Sequence, residues 1–249
     1  MKFKAVVFDL GDTLILTDKW DYNKCLRKLL ESLHRDKTAV STSFKEFKQV
    51  YFEVRHQMYV EYEESLREVD FQLRITKTLE KLSYDLKRED PIVIHAVEAF
   101  IKAFVEDLRM EDYVPELLRR LKEKYKLGLV SNFAYAPGFW EILERFKLTK
   151  FFNAITVSGE LGLRKPHSKI FEEALKKLAV QAEETVFVGD SLKADINGAK
   201  KMGFKTVFVE NIGHRKNPYA VAGELDPFPV KPDAKIPNLG ELPKILESL

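Results

Sequence analysis

The chain has 249 residues, 45% hydrophobic and 32% charged, enough to bury the core of one α/β domain or of a core domain with a small insertion. Its 41 basic and 39 acidic residues leave a formal charge of +2, so no global field draws it to nucleic acid or to an anionic membrane. The single Cys25 excludes an internal disulfide and a multi-Cys zinc site.

The N-terminal apolar run breaks at Asp9, too early for a signal-peptide core. No run reaches the roughly 18 apolar residues of a membrane helix. Together with the lone cysteine this reads as a soluble protein of the reducing cytoplasm.

In chain order, the first apolar, β-rich run is Ala5-Val6-Val7-Phe8. Residues 16–109 then lack β-rich runs and contain one Pro and no Gly. Ser43-Phe44-Lys45-Glu46 has the capping-box pattern, and Phe44, Phe47, Tyr51, Val54 and Met58 follow on one helical stripe. That stripe reads as packing core. Leu66–Leu86 continues helically, and Pro91 starts another helix with Ile92, Ala96, Phe100, Phe104 and Leu108 on one face. Beyond this block come runs at 127–131, 154–157, 185–189 and 206–209, short and nearly continuous in hydrophobicity, as strands covered on both faces require. Helical patterns at Glu141–Phe146, His167–Leu178 and Ala194–Met202 separate them, and Gly203 is placed for a left-handed C-cap. A Pro-rich loop runs from Asn211 to about Pro232, and a short strand and a helix at Leu239–Leu249 close the chain. Alternating strands and helices predict an α/β fold with a doubly wound parallel sheet. The expected division is a core of residues 1–15 and 110–249, interrupted by an all-helical domain at 16–109.

Four motifs sit at or near predicted strand ends, where open parallel sheets bind ligands. In Phe8-Asp9-Leu10-Gly11-Asp12-Thr13, Asp9 is either a turn residue or a carboxylate able to attack phosphorus. Ser131-Asn132 offers a hydroxyl and an amide to phosphate oxygens, or a helix N-cap. In Arg164-Lys165-Pro166, the lysine is either a surface residue or a compact cation before a Pro-initiated helix. Gly189-Asp190 with Asp195 reads as an N-capped turn or as oxygen ligands for a hard cation.

These motifs, in this order, resemble the haloacid dehalogenase superfamily, specifically its phosphatase-like members with a cap inserted after the first motif. The resemblance implies a Rossmann-like core and Mg²⁺-dependent hydrolysis of a small phosphorylated metabolite. It makes Asp9 the nucleophile that forms an aspartyl-phosphate. Ser131 would bind the transferring phosphoryl group, helped by the backbone at Asn132, and Lys165 would neutralise nucleophile and phosphate. Asp9, Asp190 and the carbonyl of Gly11 would hold Mg²⁺, and Asp195 would hold Lys165 or a metal-bound water. Two anionic reactants need such neutralisation to meet.

One position departs from the pattern. The family's general acid/base is an Asp two residues after the nucleophile, where this chain has Gly11, with Asp12 one residue later. Losing such a group costs about 10²–10⁴-fold. Either Asp12 or a solvent molecule takes the role, or the enzyme favours acidic leaving groups. Two rivals follow. A 2-haloacid dehalogenase would use the same nucleophile without metal, but such members do not keep the Gly-Asp seen here at Gly189-Asp190. A phosphate-binding regulatory module would turn over slowly. The five histidines show no metal-ligand spacing. His167 reads as a helix-start residue. Arg215 and Lys216 lack the aromatic interleaving of a nucleic-acid site. Trp20, Tyr22 and Tyr135 are candidates to face the substrate by their proximity to the motifs.

Overall fold

The computed structural model describes residues 3–35, 40–211 and 229–249. Arg215, Lys216 and most of the predicted Pro-rich loop lie outside them. Five strands form where the apolar runs predict them: β1 (Ala5–Phe8), β2 (Lys126–Ser131), β3 (Ala154–Val157), β4 (Thr185–Gly189) and β5 (Lys205–Val209). A sixth, β6 (Ala234–Ile236), is pinned by Asp233, which accepts hydrogen bonds from the backbone N–H and the hydroxyl of Thr206. All pairings are parallel, and the order is β3-β2-β1-β4-β5-β6, the doubly wound arrangement.

The alternation of side chains along each strand builds two cores. Val6, Phe8, Leu127, Leu129, Val186 and Val188 face one way, into a core that continues among the helices of the first hundred residues. Ala5, Val7, Val130 and Phe187 face the other way, onto Ile170, Phe171, Ala174 and Leu178. Phe171, Phe187 and Phe204 meet there edge-on, with centroids 5.4–6.1 Å apart.

Between β1 and β2 lie α1 (Tyr22–Leu33), α2 (Phe44–Glu61), α3 (Phe71–Lys81), α4 (Pro91–Asp107) and α5 (Val114–Lys122). The first four form the helical block, α1 packing on α4 and α2 on α3. Asp21, Ser43 and Asp70 each cap a helix by accepting a backbone N–H. The predicted capping box is half made: Ser43 accepts from Glu46 N–H, whereas the Glu46 carboxylate accepts from the Thr42 hydroxyl. Phe47, Tyr51, Val54 and Met58 are buried, as their spacing predicts. The chain enters and leaves the block side by side. Leu16 and Arg109 exchange backbone hydrogen bonds at 2.8 and 3.3 Å, and the Arg109 guanidinium holds both oxygens of Asp18.

Two expectations are corrected. Leu66–Leu86 is not one helix: α3 covers only Phe71–Lys81, with left-handed residues at Leu66 and Ser83. The backbone of residues 66–68 pairs instead with the loop after β3, Glu68 N–H to Gly162 O and Arg164 N–H to Leu66 O, both 2.9 Å. Nor is Ala194–Met202 one regular helix. It begins as a wide π turn at Leu192–Ile196, and a short α-helix follows at Asn197–Lys201. After that helix Gly203 has φ of 94°, the left-handed stop read from the sequence.

Candidate active site

Parallel register brings the four motifs to one edge of the sheet. Phe8 is level with Leu129 on β2 and Val188 on β4, so Asp9, Ser131 and Asp190 emerge together. Asp9 N–H donates to Val188 O at 2.9 Å, extending the ladder by one bond and directing the side chain into the crevice where the strand order reverses. Ser131 ends β2 and is buried.

Lys165 arrives from the loop between β3 and the helix Ser168–Leu178 and is 2% exposed. Its ammonium donates to Asp9 Oδ1 at 2.5 Å, Asp195 Oδ1 at 2.7 Å and Val130 O at 3.0 Å, which uses its three protons. The Asn132 side chain grips the lysine's backbone at both polar ends: Oδ1 accepts from Lys165 N–H at 2.7 Å, and Nδ2 donates to Lys165 O at 3.1 Å. The Asn132 side-chain amide is therefore engaged in placing Lys165. Asp195 uses both oxygens, its Oδ2 accepting from Ser191 N–H at 3.0 Å. The wide π turn turns Asp195 back onto that N–H.

Gly189 explains how Asp195 fits. A Cβ there would lie 2.4 Å from Asp195 Oδ2. Gly189→Ala is expected to destabilise the protein by about 1–3 kcal/mol and to lower activity by displacing the partner of Lys165. Denaturant unfolding and turnover check the two effects together.

The electrostatics are strained toward negative charge. Oxygens of Asp9, Asp190 and Asp195 lie within 4.8 Å of one another. Burial pushes the Asp9 carboxyl up to about 7, against the pull of Lys165. Burial, then the charges of Asp9, Asp195 and Asp12, push Asp190 well above the carboxylate range. Burial alone would lower Lys165, but Asp195 and Asp9 hold it above the ordinary lysine range. Among the described residues Asp190 receives one long hydrogen bond, from the Thr13 hydroxyl at 3.4 Å.

Gly11 and Asp12 lie on the loop after β1. Asp12 has φ of 51°, and its carboxylate accepts from Thr17 N–H and hydroxyl, both at 2.8 Å. Gly11 is exposed, and a Cβ there would meet nothing within 4 Å.

These residues line one end of a cavity of about 340 Å³. Trp20, Tyr22 and Tyr135 line it too, as their proximity to the motifs led one to expect. His167 instead caps the helix Ser168–Leu178, accepting from Lys169 N–H. Two arginines of the cavity, Arg55 and Arg74, lie outside the four motifs, and a third, Arg164, stands in the Arg164-Lys165-Pro166 motif, where only the lysine had a role. A signal for Arg74 existed: it sits in the buried stripe Phe71, Arg74, Ile75, Thr78, Leu79, where a charged residue breaks the apolar pattern.

A family model for haloacid dehalogenase-like hydrolases matches residues 3–203. The chain belongs to this family. Relatives of this haloacid dehalogenase-like hydrolase include the glyceraldehyde 3-phosphate phosphatase of Pyrococcus furiosus, 32% identical over 99% of this chain and 94% of that one. The enzyme of the same name from Methanopyrus kandleri is 32% identical over 82% of each chain. Among solved structures, a HAD phosphatase from Thermococcus onnurineus superposes with a TM-score of 0.66 at 23% identity, covering 98% of both chains. The L-2-haloacid dehalogenase of Xanthobacter autotrophicus superposes with 0.61 at 20% identity, covering 99% of both. At such identities the structural likenesses establish the fold, which phosphatases and dehalogenases share.

Proposed function

We propose that the protein is a Mg²⁺-dependent phosphatase that hydrolyses a small phosphorylated metabolite through an aspartyl-phosphate on Asp9. The observation that carries this reading is Asp190 beside Asp9: a third carboxylate, poorly paired, next to a nucleophile that Lys165 alone does not neutralise. A dehalogenase working without metal gains nothing from it. The relatives named as phosphatases support the same reading.

Asp9 and Asp190, with the carbonyl of Gly11, would hold the ion. Hard oxygen donors short of positive charge suit Mg²⁺. When bound, Mg²⁺ supplies Lewis-acid neutralisation of the phosphoryl oxygens. The chain's own residues do the rest. Asp9 attacks phosphorus, forming an Asp9 O–P bond as the ester O–P bond breaks. Ser131 and the Asn132 backbone N–H hold the phosphoryl oxygens, and Lys165, fixed by Asp195 and Asn132, neutralises charge beside the nucleophile. Water then cleaves the acyl phosphate and restores Asp9. Asp12 or a solvent molecule supplies the leaving group's proton. Residues 16–109 act as the cap over a catalytic core of residues 1–15 and 110–249, excluding water from the cavity. A cytoplasmic location belongs to the same proposal, since that is where such metabolites are made and used. Among the described residues no helix is long and apolar enough to cross a membrane.

A screen of phosphorylated metabolites with Mg²⁺ tests the reading, with phosphate release as the expected result. Halide release from 2-chloropropionate that survives a chelator would overturn it in favour of dehalogenation. A burst of Asp9 phosphorylation without steady turnover would establish the regulatory module instead.

A pH dependence follows from the crowded carboxylates. With metal chelated, the folded protein keeps a proton on Asp9 up to about 7, whereas the unfolded chain releases it near 3.8. The folded state therefore binds more protons, and Asp9 makes stability fall as pH rises between 3.8 and about 7. Asp190 acts with the same sign. Thermal midpoints measured in a chelator should decline across that interval, and less steeply in Asp9→Asn.

A further inference from the structure

The cavity has a second charged end. Arg55 on α2, Arg74 on α3 and Arg164 in the loop after β3 line it away from the sheet edge, together with Tyr59 and Glu68. Arg74 is 5% exposed and Arg164 7%. Burying a guanidinium is costly unless a carboxylate or a full set of hydrogen bonds compensates. Arg74 has neither. It donates to the Tyr51 hydroxyl at 3.0 Å and to Val69 O at 2.9 Å, and its Nε is buried with no acceptor. Among the described residues it makes no ion pair; the rings of Phe71, Tyr59 and Tyr51 stand 5.3–6.0 Å away, and its charge is felt at Glu68 without a salt-bridge contact. Arg164 lies over the Tyr59 ring at 4.9 Å, touches Glu63 only at 3.5 Å, and has its own Nε without an acceptor.

One acid lines this end. Glu68 accepts from the N–H of Val69; burial pushes its pKa up against the pull of Arg164 and Arg74, and a single carboxyl stands here against three arginines. The far end of the cavity is thus cationic, with buried donors that the protein leaves unmatched. The reacting end is already furnished with Lys165, Ser131 and the three aspartates. Arg164 precedes Lys165 directly, so the two ends are one residue apart in the chain.

We propose that the substrate carries a second anionic group, a carboxylate or a second phosphate, which Arg74 and Arg164 receive while the scissile phosphate meets Asp9. The substrate class is a short phosphorylated acid or a bisphosphate, sized to about 340 Å³. This rests on the phosphatase reading and extends it. It separates this chain from a preference for the uncharged aldehyde end of glyceraldehyde 3-phosphate, after which the relatives are named.

Two substrate pairs test it. 3-Phosphoglycerate and glyceraldehyde 3-phosphate differ by a carboxylate against an aldehyde. Ribulose 1,5-bisphosphate and ribulose 5-phosphate differ by a phosphate against a hydroxyl. In the wild-type protein with Mg²⁺, the doubly anionic member of at least one pair should have the higher kcat/KM, and the responding pair identifies which anion is read. Arg74→Gln and Arg164→Gln should each reduce that within-pair ratio by about 30-fold or more, the lower bound for removing one partner of a buried charge pair. The ratio is internal to each variant, so a loss of folded protein does not move it. Calorimetric affinities of the same compounds for Asp9→Asn give the answer without turnover. A ratio near one in both pairs in the wild type, or ratios untouched by both arginine substitutions, would overturn the proposal. Failure of the phosphatase reading has a different signature: no phosphate release from any compound, p-nitrophenyl phosphate included.

Discussion

Asp9→Asn is expected to lower steady-state phosphate release by about 10⁴-fold or more, the scale of losing a covalent nucleophile. The amide keeps the shape of the carboxylate, and its oxygen still accepts from Lys165, so the positioning shown by the 2.5 Å contact survives while the attacking electron pair does not. Folding should be unharmed. Burial raises the Asp9 carboxyl to about 7, so its ionised form costs the folded state stability. In a chelator at neutral to alkaline pH, Asp9→Asn should therefore melt no lower than wild type. Lost turnover with an undiminished melting temperature is the combined result that assigns Asp9 to chemistry. Mass spectrometry of the acid-quenched wild type should find one phosphoryl group on the peptide containing Asp9, and none in the variant. Activity retained by Asp9→Asn would remove the covalent mechanism altogether.

Gly11→Asp carries the second large effect, and in the opposite direction. The family's acid/base carboxylate is expected at this position, and nothing in the local structure excludes it. Gly11 does not have the left-handed backbone seen at Asp12, and its added Cβ would meet nothing within 4 Å. Glycine is not required here by sterics or by strain. A carboxylate at position 11 is expected to raise hydrolysis of alkyl phosphates by about 10²–10⁴-fold, the usual contribution of a placed general acid/base. Hydrolysis of p-nitrophenyl phosphate should change far less, because its leaving group departs without a proton. Equal gains on both substrates would mean that position 11 acts through binding. The companion variant Asp12→Ala separates the present proton sources. The Asp12 carboxylate already holds Thr17 through two 2.8 Å bonds. If Asp12→Ala hydrolyses alkyl phosphates as fast as wild type, solvent supplies the proton.

Five strands fell where short apolar runs lay, because a strand covered on both faces needs continuous hydrophobicity over only a few residues. The helix from Pro91 followed from its apolar face and its proline. The long helix expected from Leu66 failed because periodicity cannot report that residues 66–68 would find backbone partners in the loop at 162–164. Propensity there is overridden by a long-range pairing.

The site divides in the same way. That Asp9, Ser131, Lys165 and Asp190 belong together was legible in their order, since strand ends in a parallel sheet collect on one edge whatever the loops do. By itself, then, the sequence determined the alternation of strands and helices, the all-helical stretch between the first two strands and the four motifs whose side chains meet at one sheet edge, all set by local patterning of a few adjacent residues. Only the tertiary structure decided what each polar group touches. It turned the Asn132 amide onto the lysine backbone, set Asp195 against Gly189, left the space beside Gly11 open, and brought Arg74 to the wall of the same cavity as Lys165. Those outcomes depend on contacts between residues dozens of positions apart, where the spacing of neighbours along the chain carries no information about distance in space.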